Sequence, residues 1–330
     1  MKTFITGASG FVGSAVLRQL IQAGHTVFAL LRPNSNRGNL DGLPVETVTG
    51  DLTNPDSYSS ILAECDYLFH VAADYRLWVR KPNEMYEINV TGTRNLMLTA
   101  ASLGVKRIVY TSSVATLGLK LDGTPADETT PVTFNDMIGH YKRSKFLAEA
   151  EVIRLAQEQS LPVIIVNPST PVGPRDIKPT PTGRVIVDAA SGRIPAYVDT
   201  GLNLVHVDDV AAGHLLAFER GTVGERYILG AQNMTLKELL TQVATIARQP
   251  PPRVRLPHNL VLAVAYFAET WAKISRRGEP LITVDGIRLA KKVMFFAYKK
   301  AERELGFRPR PVEEGLRHAV DWFRENNYIR

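Results

Sequence analysis

Short apolar runs alternate with longer stretches in which apolar residues recur every three or four positions. The runs cover 2–6, 26–31, 45–50, 67–72, 107–112 and 163–167. Several of them, such as Leu68-Phe69-His70-Val71-Ala72-Ala73 and Val163-Ile164-Ile165-Val166-Asn167, are apolar on both pleat faces. Strands read this way when helices cover both sides of a parallel sheet. The stretches between them, beginning with 12–23, carry helical periodicity, so the pattern predicts an α/β fold with a doubly wound parallel sheet.

The second half is less regular. Pro168, Pro171, Pro174, Pro179 and Pro181 break up a stretch that reads as loop. A strand over 204–209 leads into a helix over 210–219. A helix beginning near Thr235 is stopped by Pro250, Pro251 and Pro252, and a last helix spans 312–326. Between them, 260–274 holds Leu260, Val261, Val264, Ala265, Phe267, Ala268 and Trp271 at helical spacing, followed by Lys273, Arg276 and Arg277. Such a stripe first suggests core. The second reading is a helix lying on a membrane surface with its basic end on anionic headgroups. The expected division is a Rossmann unit over 1–170, to which 205–220 returns, and a smaller substrate unit over 171–330.

The first run leads straight into Thr6-Gly7-Ala8-Ser9-Gly10-Phe11-Val12-Gly13. A turn this tight, opening a helix, lets backbone approach a pyrophosphate and aims the helix N-terminus at it. Gly7, Gly10, Phe11, Val12 and Gly13 are therefore expected at a dinucleotide. A site for NAD places an acid at the end of the second strand. Here Arg32 stands there, no Asp or Glu occurs from 14 to 40, and Arg37 follows. A guanidinium pairs with a 2′-phosphate, so NADP(H) is favoured and NAD(H) is the second choice. Asp51 and Leu52 after the third strand are expected at the adenine. Ala72 and Ala73 after the fourth, and Pro168 and Ser169 after the sixth, are expected at the nicotinamide half.

Tyr141-Lys142-Arg143-Ser144-Lys145 puts Tyr141 and Lys145 at i and i+4, on one face of a helix. A free phenol has a pKa of about 10, and an ammonium close by favours the phenolate. Lys145 can also bond the cofactor ribose. Ser113, with Ser112 second, ends the fifth strand over the crevice and can donate to a substrate carbonyl.

Taken in order, the glycine turn, the Gly50-Asp51-Leu52 turn, His70–Ala73, Asn89, Tyr110-Thr111-Ser112-Ser113 and the Tyr-x-x-Ser-Lys motif resemble the extended short-chain dehydrogenase/reductases. These are also known as the NAD-dependent epimerase/dehydratase family. The resemblance covers the whole chain and implies Ser-Tyr-Lys catalysis by Ser113, Tyr141 and Lys145, with Asn89 supporting the active-site helix beside the cofactor. The dehydratases of that family carry an acidic pair after the catalytic hydroxyl, where this chain has Val114 and Ala115. Longer stretches are similar to a subgroup labelled hopanoid-associated sugar epimerase and to dihydroflavonol 4-reductases. The implied activity is NAD(P)-dependent oxidoreduction at a keto or hydroxyl carbon, with nucleotide-sugar epimerisation as the alternative. Family members commonly dimerise through two long helices, here 84–102 and 141–157.

Loops at 74–78, 137–140 and 168–184 ring the predicted crevice. Tyr75 and Trp78 can stack on a substrate ring, and Arg175, Lys178 and Arg184 can hold an anion. His140 is a pocket candidate. His206 with Asp208 and Asp209 reads as a helix cap.

The 330 residues are 45% apolar and 22% charged, an ordinary globular balance. The single cysteine, Cys65, excludes a disulfide framework within the chain and reads as an inert packed thiol. The seven histidines show no metal-ligand spacing. No leader segment is visible, and the expected location is cytoplasmic. The net charge is +6, and 250–330 holds 16 Lys and Arg against 9 Asp and Glu. No nucleic-acid signature accompanies this basic tail, so the expected partners are a small carbonyl or sugar substrate, a second copy of the chain, and weak contact with a membrane surface.

Overall fold

In the computed structural model, which describes residues 1–275 and 283–329, alternate residues of the apolar runs face opposite layers. Ile5, Phe69, Val109, Ile164 and Val166 pack on one side with the helices Phe11–Gln22 and Val207–Arg220. Phe4, Leu68, Ile108, Tyr110 and Ile165 pack on the other with Thr93–Ser102 and Gly139–Glu158. The sheet between them has seven strands, in the spatial order Glu46–Thr49, Thr26–Leu31, Lys2–Thr6, Tyr67–His70, Arg107–Thr111, Val163–Pro168 and Arg226–Leu229. Every neighbouring pair is parallel. The chain starts at Lys2–Thr6, winds outward one way, then crosses back to continue from Tyr67–His70. A crevice opens at the carboxyl ends of these two strands, where the winding reverses.

A second, smaller sheet centres on Gly201–His206. Gln232–Thr235 pairs with it antiparallel, and Thr170–Val172 and Val293–Met294 pair with it in parallel. Helices Pro181–Ala190, Leu236–Ala247 and Val312–Glu325 pack on it around a third apolar cluster.

Several expectations change. The proline-rich stretch is not all loop, because Pro181 occupies the first turn of Pro181–Ala190, where its fixed φ fits and its missing N–H costs nothing. The helix expected from residue 210 starts at Val207, with His206 as its cap: the imidazole Nδ1 accepts from the Asp208 N–H at 3.0 Å. Arg226–Leu229 extends the large sheet, a strand the pattern did not reveal. The stretch 84–102 is broken by a wide turn over Glu87–Gly92, and Leu98 and Leu147 face outward on the two helices expected at a dimer contact.

The apolar stripe is the largest departure. Within helix His258–Ser275, Val261, Ala265 and Ala272 are buried. Leu260, Val264, Phe267 and Trp271 lie along one line of the helix and face outward, Phe267 at 80% and Trp271 at 65% exposure. The core reading is therefore corrected for that line. The side chain of Lys273, and Arg276 and Arg277 entirely, lie outside the described residues. No described helix is long and apolar enough to cross a membrane.

Candidate active site

The glycine turn is set by backbone contact. Gly7 has φ +78°, and a Cβ there would lie 2.6 Å from the Ala72 nitrogen. A Cβ on Gly13 would lie 2.0 Å from the Gly7 carbonyl oxygen. The first strand and its helix thus press against the segment leaving the fourth strand with no side chain between them. Below the turn, Ala72 N–H donates to Thr6 Oγ1 at 3.2 Å, and Thr6 Oγ1 lies 2.7 Å from His70 Nδ1. His70 Nε2 lies 2.8 Å from Thr93 Oγ1. Burial pushes the imidazole down to about 3, so it is neutral. The neutral ring has one donor and one acceptor nitrogen, shared between Thr6 and Thr93. Phe11 and Val12 open the helix at the crevice.

Arg32, directly after the second strand, and Arg37 are exposed. Asp51 follows the third strand. Its Oδ1 accepts from the Thr53 N–H and hydroxyl at 2.8 and 2.7 Å. Those bonds, with a smaller contribution from Arg32, hold its carboxyl below the usual range. Leu52 is buried, in a close approach that allows no Cβ at Gly92 without strain.

Tyr141 and Lys145 project from helix Gly139–Glu158. Burial raises the Tyr141 phenol above its ordinary value, and the Ser113 hydroxyl beside it acts in the opposite sense. Ser113 Oγ accepts from the Ala115 N–H at 3.1 Å, which leaves its own proton to donate. The Lys145 amine is buried, donating to the Thr111 carbonyl at 2.9 Å and the Tyr110 hydroxyl at 3.2 Å. Burial pushes it down to about 8, against the opposing pull of Glu149. The sequence suggested direct help from this ammonium to the Tyr141 phenol. Here it is turned to Tyr110 and Thr111, with one N–H unassigned among the described residues.

Asn89 ties two walls together. Its amide donates to the Asp74 carbonyl at 2.8 Å and to Ser144 Oγ at 2.9 Å, and its oxygen accepts from Asp74 N–H at 2.7 Å. Asn89 lies inside the wide turn, a local widening that recurs at functional sites. Ala72 and Ala73 leave the fourth strand beside it. Pro168 ends the sixth strand, and Ser169 follows, buried.

The hydroxyls of Ser112 and Ser169 are buried and make no hydrogen bond among the described residues. Together with a glycine turn that excludes any Cβ, they fit a bound nicotinamide dinucleotide. Of the expected cofactor residues, Arg32, Asp51, Ala72 and Ser169 follow the carboxyl ends of parallel strands, Phe11, Val12 and Gly13 open a helix there, and Arg37 lies in the loop beyond the second strand.

Other expected substrate residues are distributed unevenly. Trp78 lines a cleft of about 330 Å³ with Arg76, Val79, Arg80, Lys81 and Glu84, and Tyr75 is partly exposed nearby. His140 Nδ1 lies 3.2 Å from the Tyr86 hydroxyl. Lys178 is exposed, and Arg184 lies near Asp176, whose carboxyl burial pushes up to about 6 against the smaller opposing effects of Thr180 and Arg184. Arg175 is paired with Asp208 and so is not held ready for a substrate anion. His206 bonds to His318 at 3.0 Å, away from the crevice. Cys65 is buried and its thiol is pushed up to about 12. No cluster of potential metal ligands occurs among the described residues.

Sequence reasoning missed three supports. His70 had one signal, a titratable residue inside an apolar run. Asn39, whose amide donates to the carbonyls of Ser9 at 3.2 Å and Arg175 at 3.1 Å, had none. Glu149 looked like an ordinary helical acid but is buried, accepting from Thr116, Asn167 and Arg226 at 2.8–3.0 Å.

Fold and crevice together define a Rossmann-type nicotinamide-dependent enzyme. The family model for the NAD dependent epimerase/dehydratase family matches residues 3–230, and the chain belongs to that family of extended short-chain dehydrogenase/reductases. Among solved structures, that of gox2253 is similar at 54% identity and a TM-score of 0.90, over 99% of each chain. A Synechocystis protein provisionally named a dihydroflavonol 4-reductase is 44% identical over 99% of this chain and 96% of its own. Sterol demethylase protein B of Methylococcus capsulatus is 34% identical over the full length of both. A 2-alkyl-3-oxoalkanoate reductase of Stenotrophomonas maltophilia is 28% identical over 96% of this chain and 98% of that protein.

Asn89→Ala removes three hydrogen bonds, one buried and two partly buried, and leaves both backbone groups of Asp74 without that partner. The expected cost is about 2–3 kcal/mol, read by denaturant unfolding, with faster amide exchange confined to 74–76. Unchanged exchange there would show that Asn89 does not anchor the loop.

Proposed function

We propose that this enzyme is an NADP(H)-preferring oxidoreductase that transfers hydride at a keto or hydroxyl carbon of a small lipid-like molecule. The observation carrying this reading is the Ser113 hydroxyl beside the Tyr141 phenol, on a helix whose Lys145 is anchored to the end of the strand that leads to Ser113. Relatives named as reductases at full-length coverage support it. A bound nicotinamide supplies or takes up the hydride. Ser113, its oxygen engaged by Ala115, donates its proton to the substrate oxygen and fixes the carbonyl beside Tyr141. Tyr141 remains protonated at neutral pH because burial holds its phenol high, which suits proton delivery to the developing alkoxide. Lys145, anchored on Thr111 and Tyr110, turns its remaining N–H toward the cofactor ribose and lowers the cost of the phenolate as it forms.

Tyr141→Phe removes the proton donor and leaves the binding surfaces in place. Turnover should fall about 10²–10⁴-fold while NADPH still binds, as read by fluorescence titration. Near-parental carbonyl reduction by this variant would remove Tyr141 from the mechanism. Epimerisation of a nucleotide sugar in hopanoid biosynthesis, the alternative raised by the resemblance, uses the same three side chains. It consumes no net NADPH, so stoichiometric NADPH oxidation separates the two.

Arg32 and Arg37 stand exposed where a 2′-phosphate would lie, and the acid that bears on Arg32, Asp51, is engaged with Thr53. NADPH should bind about ten-fold more tightly than NADH or better, and Arg32→Ala should erase most of that difference. Calorimetry giving equal affinities in the parent protein would overturn the preference.

The outward line of Leu260, Val264, Phe267 and Trp271 supports a further element of this reading, docking on an anionic bilayer surface. Exposed cations flank it: Arg288 donates to the Tyr266 hydroxyl at 2.9 Å, and Lys291 to Asn259 at 3.0 Å. Each basic residue near such a surface contributes about 1 kcal/mol, so attachment should be weak and salt-sensitive. The protein should co-sediment at low salt with vesicles containing phosphatidylglycerol but not with phosphatidylcholine alone, and Phe267→Glu with Trp271→Glu should abolish this. No binding to either vesicle would assign the stripe to a protein contact instead.

A further inference from the structure

Lys142 is the residue next to Tyr141, and it is only 9% exposed. Buried lysines ordinarily have a carboxylate partner. The only hydrogen-bond contact of this amine among the described residues is the Met294 sulfur at 3.7 Å, a poor acceptor. The charged neighbour that bears on it is Lys292, another cation. Burial and Lys292 together push the amine down to about 8, so at neutral pH it is largely an ammonium, and among the described residues it has no carboxylate partner.

Its position connects it to the reacting atoms. Met294 lies on the strand Val293–Met294, at the edge of the smaller sheet. It packs against a cluster of Leu117, Ala126, Ile228 and Phe296 that also takes in Val114, the residue after Ser113. The first turn of the catalytic helix is covered by the same segment, since a Cβ on Gly139 would come within 3.0 Å of the Asp285 carboxylate. The amine thus lies at the junction between the catalytic helix and the smaller unit. Val114, next to Ser113, and Met294 share that cluster, so a substrate held at Ser113 that extends past Val114 would meet the junction.

We infer that Lys142, with Lys292 beside it, is the subsite for a carboxylate carried by the substrate close to its reacting carbon. The substrate class is then a 3-oxo or 3-hydroxy carboxylic acid with an apolar body, which deepens the oxidoreductase reading and rests on it. The 2-alkyl-3-oxoalkanoates named for one full-length relative are of this chemistry. A carboxylate supplies the missing counter-ion in a site of low dielectric, where a charge-assisted hydrogen bond is strong.

The test compares 3-hydroxydodecanoate with its methyl ester, by calorimetry on the protein saturated with NADPH, so that no turnover intervenes. The acid should bind about ten-fold more tightly than the ester or better. Lys142→Met should remove that preference while leaving ester affinity unchanged, and Lys142→Arg should keep most of it. Equal binding of acid and ester by the parent protein, retention of the preference by Lys142→Met, or no binding of either probe overturns the subsite. NADPH oxidation with 3-oxododecanoate reads the other proposal separately. An acid preference that depends on Lys142, without any reduction, leaves the subsite standing and removes the reductase reading.

Discussion

The contact between Gly7 and the Ala72 backbone is the constraint on which the crevice depends. It brings the end of the first strand and the exit of the fourth to a separation that no side chain tolerates. The reversal of winding occurs between these two strands, so the contact fixes the width of the opening and aims the helix Phe11–Gln22 at it. The Thr6–His70–Thr93 chain then fastens the floor, using an imidazole kept neutral by burial. A charged residue at position 70 would have to be desolvated there without a counter-ion. A neutral ring with one donor and one acceptor satisfies both threonines instead.

A second buried network holds the helix Gly139–Glu158 in register. Glu149 accepts from Arg226, Asn167 and Thr116, and Asn167 also donates to the Ser113 carbonyl at 3.1 Å. One carboxylate thus joins the helix carrying Tyr141 and Lys145 to the loop carrying Ser113 and to the last strand of the sheet. It lies one helical turn beyond Lys145 and partly offsets the desolvation of that ammonium. Removing one partner of such a group typically costs 3–5 kcal/mol, because the remaining charges stay buried. The network therefore specifies geometry more than it adds stability.

The large sheet was legible because its strands are apolar on both faces, a pattern nothing else in a chain of this length produces repeatedly. The glycine turn and the Tyr-x-x-Ser-Lys spacing were legible because their chemistry requires particular residues at fixed intervals. Arg226–Leu229 was not: four residues between a glycine-containing turn and the next loop carry too little pattern to distinguish a strand from a packed coil. The two-residue strand Val293–Met294 carries less still. The helix Pro181–Ala190 was hidden by its own capping proline, which reads as a breaker unless its first-turn position is known. Periodicity in His258–Ser275 gave the apolar line correctly but not its direction, since a line facing solvent and one facing a core have the same spacing. Roles that depend on distant partners, as for Asn39, His70 and Glu149, leave almost no local trace.

The helix His258–Ser275, which carries the outward apolar line, is joined to the helix Val284–Ala290 by hydrogen bonds. Glu269 accepts from the Val284 N–H at 2.7 Å, and His258 lies 3.0 Å from the Ala290 carbonyl. The short helix Val284–Ala290 is therefore held at both ends against the long one. Its Asp285 stands over Gly139, and the chain continues directly into Val293–Met294, above Lys142. Gly139, with φ +79°, has no Cβ to keep this segment away. The helix that bears the exposed apolar line is thus fastened to the one that covers the first turn of Gly139–Glu158.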